Sequence, residues 1–177
     1  MNMVSLFHTE ANSFNQVNKL KQKESNMNNI KSLTVKWSIS KAQDTYGYNI
    51  CTVVNDDNGE RFKCLGGGYD MLGTSLANFI EKEYQAELIA KYEQAYAQYV
   101  DSKRLDNGTN KQGFYGMTAH IKGGECYKVS LDGACGINSI ERIIKEVLGL
   151  TLERKYNYDR KDRVKDVIGF YLYPKES

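Results

Sequence analysis

Leu72, Leu76, Ile80, Tyr84, Leu88, Tyr92, Tyr96 and Val100 recur at every fourth position, and Phe79, Ala95 and Tyr99 fill the i+3 places. A strand changes face at every residue, so this spacing belongs to a helix. It predicts a long amphipathic helix over 71–101, or two helices with a bend, with one side that must be covered by apolar material. Gly73 weakens the first turn, and Asp70 stands where it can cap it. An aromatic stripe of this kind reads first as core. A tyrosine ring with its hydroxyl also suits a protein interface or a nucleic-acid base.

The material to cover that stripe lies on both sides of it in the sequence. Leu33, Val35, Trp37 and Ile39 alternate with Thr34, Lys36 and Ser38, a half-buried strand. Tyr46 to Asn55 is β-branched and aromatic, and Arg61 to Leu65 follows the turn signal Asn58-Gly59. A two-residue turn there sets Asp57 opposite Glu60 and Val53 opposite Cys64. Cys51, Val53, Phe62 and Cys64 then share one face, and Ile50, Thr52, Val54 and Leu65 the other. Beyond the helix, Asp106 to Asn110 reads as a loop. Tyr115 to Ile121 and Cys126 to Leu131 form a hairpin about Gly123-Gly124.

Asn138-Ser139-Ile140-Glu141 has capping-box spacing ahead of the stripe Ile140, Ile143, Ile144, Val147 and Leu148, and Gly149 is placed to end that helix. Thr151 to Tyr156 and Val164 to Tyr173 close the order β-β-β-α-β-β-α-β-β. Helices packed on antiparallel sheet, an α+β fold, is the natural outcome. The two halves read as a weak internal duplication, too divergent to call a repeat.

The length of 177 residues suits one domain. Residues 1–30, rich in Asn, Gln, Ser and Lys, read as a flexible arm, and 31–177 as a single α+β domain. Met27 is a candidate alternative start. A net charge of +2 does not call for indiscriminate nucleic-acid binding. No apolar run approaches the roughly 20 residues of a membrane span, and no secretory signal is visible. The 4 cysteines contain no C-x-x-C pair, which excludes a zinc ribbon or thioredoxin motif. Free thiols and a cytoplasmic location are expected.

Four constellations could carry chemistry. Gly66-Gly67-Gly68, followed by Tyr69 and Asp70, precedes a helix, where backbone N–H groups could meet an anion. It lacks the Lys-Ser/Thr of a phosphate-binding loop, and tight strand exit is its ordinary use. His120 and Cys126 fall on adjacent strands with Cys135 nearby, but no fourth ligand has suitable spacing, and a buried Cys commonly serves as a small hydrophobe. No catalytic residue, metal or cofactor is assigned. The tyrosine stripe is the third constellation. The most localised is the run from Arg154 to Arg163, in which Arg154, Lys155, Arg160, Lys161 and Arg163 are interleaved with Tyr156 and Tyr158. It suits phosphate contact with aromatic stacking, or an acidic groove on a protein. The plain alternative is a solvated loop whose charges pair with Asp159 and Asp162.

Leu65-Gly66-Gly67-Gly68-Tyr69-Asp70-Met71-Leu72-Gly73-Thr74, with Leu131-Asp132-Gly133-Ala134-Cys135-Gly136 later, resembles the type II-A anti-CRISPR proteins of phages and mobile elements of Gram-positive bacteria. The likeness covers roughly 31–173. It implies a stoichiometric, non-enzymatic inhibitor that binds Cas9, in its guide-RNA-loaded form, and blocks DNA recognition or cleavage. Many such inhibitors are acidic DNA mimics; a chain at +2 departs from that type. Contact is then expected at Arg154, Lys155, Tyr156, Tyr158, Arg160, Lys161 and Arg163, with the tyrosines as anchors and Arg160 and Arg163 on phosphate or carboxylate. A direct DNA- or RNA-binding module using the same patch is the alternative. A nucleotide sensor or small enzyme built on Gly66 to Gly68 is the third. The oligomeric state stays open, since the Tyr-rich helix could equally seal a dimer.

Overall fold

The computed structural model describes residues 30–39, 49–66, 71–97, 104–111, 116–132, 136–157 and 166–175. The expected arm lies outside them except for Ile30. In chain order the elements are β1 (Lys31–Ile39), β2 (Asn49–Asn55), β3 (Arg61–Gly66), α1 (Met71–Glu83), α2 (Gln85–Ala97), β4 (Gly108–Lys111), β5 (Met117–Lys122), β6 (Glu125–Leu131), α3 (Ile137–Glu146), β7 (Leu150–Tyr156) and β8 (Val167–Pro174). The fold is α+β, in the expected order. The long helix comes as two segments that meet at Tyr84, and a short edge strand, β4, forms within the expected loop. Tyr84 N–H still donates to Ile80 O at 2.9 Å and Leu88 N–H to Tyr84 O at 2.9 Å, so helical hydrogen bonds continue on both sides of the junction.

The strands build two antiparallel sheets, β3-β2-β1-β8-β7 and β4-β5-β6. Each half of the chain thus contributes a three-stranded meander followed by helix, and β7–β8 then returns to pair beside β1. In the larger sheet Leu33, Val35, Cys51, Val53, Phe170 and Leu172 point to one face and are buried there. α1 packs on that face against β2 and β3, α3 packs against β7, and the two helices touch. Phe79 of α1 meets Phe62 edge to face, with ring centroids 5.5 Å apart. α2 lies along β6 and buries Leu88 and Tyr92. One continuous buried cluster links both sheets and the helices. Most of the tyrosine stripe therefore serves the core: Tyr92 is fully buried, and Tyr84 and Tyr96 pack against it.

Two local expectations change. The β2–β3 register pairs Val53 with Phe62 and Cys51 with Cys64, two residues away from a turn centred on Asn58-Gly59. The loop is longer because its own side chains hold it. Asp57 N–H donates to Asn55 Oδ1 at 3.1 Å and Glu60 N–H to Asn58 Oδ1 at 2.9 Å, and Gly59 takes the positive φ of 72°. Asp57 and Glu60 no longer face each other. A shift of two keeps every side chain on its expected face.

The capping box does not form either. α3 starts after Gly136, at φ 87°, with no side-chain cap, and Glu141 turns to Arg154 instead. Gly149, at φ 64°, makes the turn into β7. Asp70 lies outside the described residues.

Candidate functional site

Strand alternation splits the basic run that the sequence presents as one cluster. Arg154 faces the helices. Its Nε donates to Glu141 Oε1 at 2.6 Å, and its Nη2 donates to Glu141 Oε2 and Asn138 Oδ1, both at 2.9 Å. The Glu141 hydrogen bonds push the Arg154 pKa further up, so the guanidinium stays charged and straps β7 to α3. Tyr156 is half-buried against the core. Lys155 alone of these described residues points to the opposite face of the sheet. Tyr158, Arg160, Lys161 and Arg163 lie outside the described residues, as do Gly67, Gly68, Tyr69 and Asp70. Gly66 ends β3.

Lys155 joins a set of side chains that no stretch of sequence displays together. Cross-strand pairing runs Arg61–Val54–Thr34–Gly169–Lys155 across all five strands. The next rows hold Lys63–Thr52–Lys36 and Leu65–Ile50–Ser38, and on the other side Ser32–Tyr171–Glu153 and Tyr173–Thr151. Among the described residues no helix packs on this face, and Leu65 is 63% exposed and Tyr171 39%. Lys36, Arg61 and Lys63 are exposed and have no ion-pair partner among the described residues. The acids on this side are Glu153, paired with Tyr171, and Asp56. Asp56 accepts hydrogen bonds from the hydroxyls of Ser32 at 2.6 Å and Thr34 at 2.7 Å.

Gly169 permits a close side-chain arrangement on this surface. A Cβ there would stand 2.4 Å from Leu33 O and 3.3 Å from Lys155 Cδ. Because the position carries no side chain, the Lys155 stem crosses over it. Its Nζ reaches Ser32 Oγ at 2.8 Å and sits 3.6 Å from the centre of the Tyr171 ring. The Ser32 hydroxyl donates to Asp56 Oδ2 at 2.6 Å, so Ser32 bridges the Lys155 cation and the Asp56 carboxylate while the Tyr171 ring holds the ammonium from the other direction. The face as a whole is basic, hydroxyl-rich and partly apolar, which fits an anionic partner that also offers flat or apolar groups. Sequence reading did not group Lys36, Arg61 and Lys63 with Lys155, because β1 and β8 pair across more than a hundred residues of chain. The signal that was present is that these three occupy outward positions of strands whose inward positions are apolar.

The other candidates resolve differently. His120 Nε2 lies 2.8 Å from Ser130 Oγ on the outer face of the small sheet, whereas Cys126 is buried on its inner face. Burial raises the Cys126 thiol pKa, so the thiolate that nucleophilic attack needs is disfavoured. Among the described residues no cluster of His, Cys, Asp and Glu is arranged to hold a metal ion. An open cleft of about 590 Å³ runs between the sheets, lined by Phe62, Glu81, Lys82, Gln85, Tyr127 and Lys128. It does not include Gly66. No described helix is long and apolar enough to cross a membrane. No family model, curated protein or solved structure matches the chain.

Proposed function

We propose that this chain is a non-enzymatic inhibitor of a bacterial CRISPR-Cas9 effector, acting in the host cytoplasm. It binds the guide-loaded complex through the open face of its five-stranded sheet and so blocks DNA recognition or cleavage. The family resemblance of Leu65–Thr74 and Leu131–Gly136 supplies the partner. The observation that carries the reading is the exposed set Lys36, Arg61 and Lys63, with Lys155 over Tyr171, on a sheet face that no described helix covers. A guide-loaded effector presents phosphate-rich grooves, and a basic face recognises these where an acidic mimic of DNA cannot.

The test is a DNA-cleavage assay with purified Cas9 and guide RNA, with this protein titrated in. Loss of cleavage saturating near equimolar protein is expected, and K36E/R61E/K63E should shift the titration to much higher protein. Unchanged cleavage across several Cas9 orthologues overturns the reading. Full inhibition by the triple variant removes the sheet face from it. The second reading is a nucleic-acid-binding module that needs no protein partner. It is favoured by the Lys155–Tyr171 pair, whose geometry suits a phosphate beside a stacked base.

A further inference from the structure

We infer that the open face of the five-stranded sheet is a site for a single strand of nucleic acid, laid across the strands from β3 to β7. The inference shares its surface with the reading above but does not need Cas9 as the partner. Three features of the face decide the kind of ligand.

The first is the spread of charge. Lys36 is on β1, Arg61 and Lys63 on β3 and Lys155 on β7. At about 4.8 Å between neighbouring strands, the row from Arg61 to Lys155 spans roughly 19 Å. Lys36 and Lys63 flank Thr52 in one row, so two like charges stand on adjacent sides of one small residue. That arrangement is unfavourable alone and is relieved by an anion with regularly spaced charges.

The second is what lies between the charges. Leu65, Ile50 and Val54 lie on the same face as the cations, with Leu65 among the exposed large apolar residues of the chain. A duplex turns its phosphates outward and hides the flat faces of its bases, so apolar groups on this surface would gain nothing from it. An unpaired strand offers those base faces, and a sheet gives them a platform.

The third is Tyr171, 39% exposed with Lys155 Nζ at 3.6 Å from its ring centre. The ring is held by its partner cation, so a base that stacks there meets a surface already in position.

The experiment measures fluorescence anisotropy of the full chain with an unstructured RNA oligonucleotide, and with the same sequence annealed to its complement. The single strand should bind at least about tenfold more tightly than the duplex. For four phosphate contacts, at Lys36, Arg61, Lys63 and Lys155, its log K against log salt should fall with a slope of about −3. In K36Q/R61Q/K63Q, which keeps Lys155, the slope should flatten to about −0.7, and Tyr171→Ala should weaken binding about tenfold at constant slope. All four are surface positions, and circular dichroism of each variant checks that the fold is kept. The charge-matched control K111Q/K122Q/K128Q, on the exposed side of the small sheet, should bind as the native chain does.

Duplex binding as tight as that of the single strand overturns the inference. So does no binding of either probe, or equal loss in both triple variants. Binding of the oligonucleotide without inhibition of any Cas9 upholds this site and removes the effector reading. Inhibition of Cas9 by a chain that binds neither probe does the reverse.

Discussion

Gln85 and Val129 exchange two hydrogen bonds as a neighbouring strand would: Gln85 Nε2 donates to Val129 O at 2.9 Å, and Val129 N–H donates to Gln85 Oε1 at 2.6 Å. β6 is the edge of the small sheet, and an edge exposes a row of unpaired backbone groups. Side chains of the long helix close that row. Glu81 accepts from Leu131 N–H, Gln85 holds Val129, and Glu93 Oε1 accepts from Cys126 N–H at 3.4 Å. Gln85 follows the junction of the two helical segments at Tyr84, and its Nε2 also donates to Glu81 O at 2.9 Å. Gln85→Leu keeps the bulk and leaves both Val129 groups without their partner. A loss of about 1–3 kcal/mol is expected, read from urea unfolding, together with greater aggregation on standing.

Glu81 carries an opposite sign of pH dependence from most carboxylates. Burial raises its pKa above the usual 4.5, more than the Leu131 N–H bond lowers it. A folded pKa above the unfolded one means that ionising Glu81 costs the fold stability. Its contribution is most favourable below pH 4.5 and is lost as pH rises through the folded value. Glu81→Gln keeps an acceptor for Leu131 without the charge. The variant should melt higher than the native chain at pH 7 and show no gain below pH 4.5. An equal gain at both pH values overturns this account.

Glu93 behaves the other way. Hydrogen bonds from Arg104, at 2.7 and 2.6 Å, hold its pKa below the usual range. Its contribution is present above pH 4.5 and is lost as pH falls through the lowered folded value. Arg104 also lies over the Tyr96 ring at 5.3 Å, so the pair ties α2 to the chain entering β4. Glu93→Gln should lower the melting temperature at pH 7 and leave it nearly unchanged at the acid end, which a pH series of thermal melts checks.

The contrast between Arg154 and Lys155 shows what the sequence could and could not convey. Local patterns placed the strands, the helical stripes and the face each residue takes, because those follow from periods of two and nearly four along the chain. They grouped Arg154, Lys155 and Tyr156 by proximity in the chain, whereas a strand sends neighbours to opposite faces. The partners of Lys155 come from β1, β3 and β8, and only the strand order β3-β2-β1-β8-β7 brings them together. The β2–β3 register also escaped local reading. Asn-Gly favours a two-residue turn, but the side chains of Asn55 and Asn58 satisfy a longer loop that separates two acids.

That division makes a prediction about Arg154. Its guanidinium bonds Glu141 and Asn138 on the helix face, so its loss should act on the fold and not on the ligand. Arg154→Met retains the stem. It should cost about 1–3 kcal/mol by urea unfolding while leaving oligonucleotide affinity and its salt slope unchanged. A changed salt slope would return Arg154 to the contact surface.

Gly169 couples the two properties. An added Cβ would meet the Leu33 carbonyl at 2.4 Å, a backbone atom that can move only if β1 and β8 separate, and would press on the Lys155 stem at 3.3 Å. Overpacking of this kind costs about 1–3 kcal/mol or more. Gly169→Ala is therefore expected to lower the urea midpoint and, at denaturant-free conditions where it remains folded by circular dichroism, to weaken oligonucleotide binding as well. Lys155 can no longer cross to Ser32 and Tyr171 at their present distances. Lys155→Gln in the Gly169→Ala background separates the effects: if the clash acts on binding through the lysine, the second substitution should weaken binding little further. Full additivity of the two losses would place the binding defect elsewhere on the sheet.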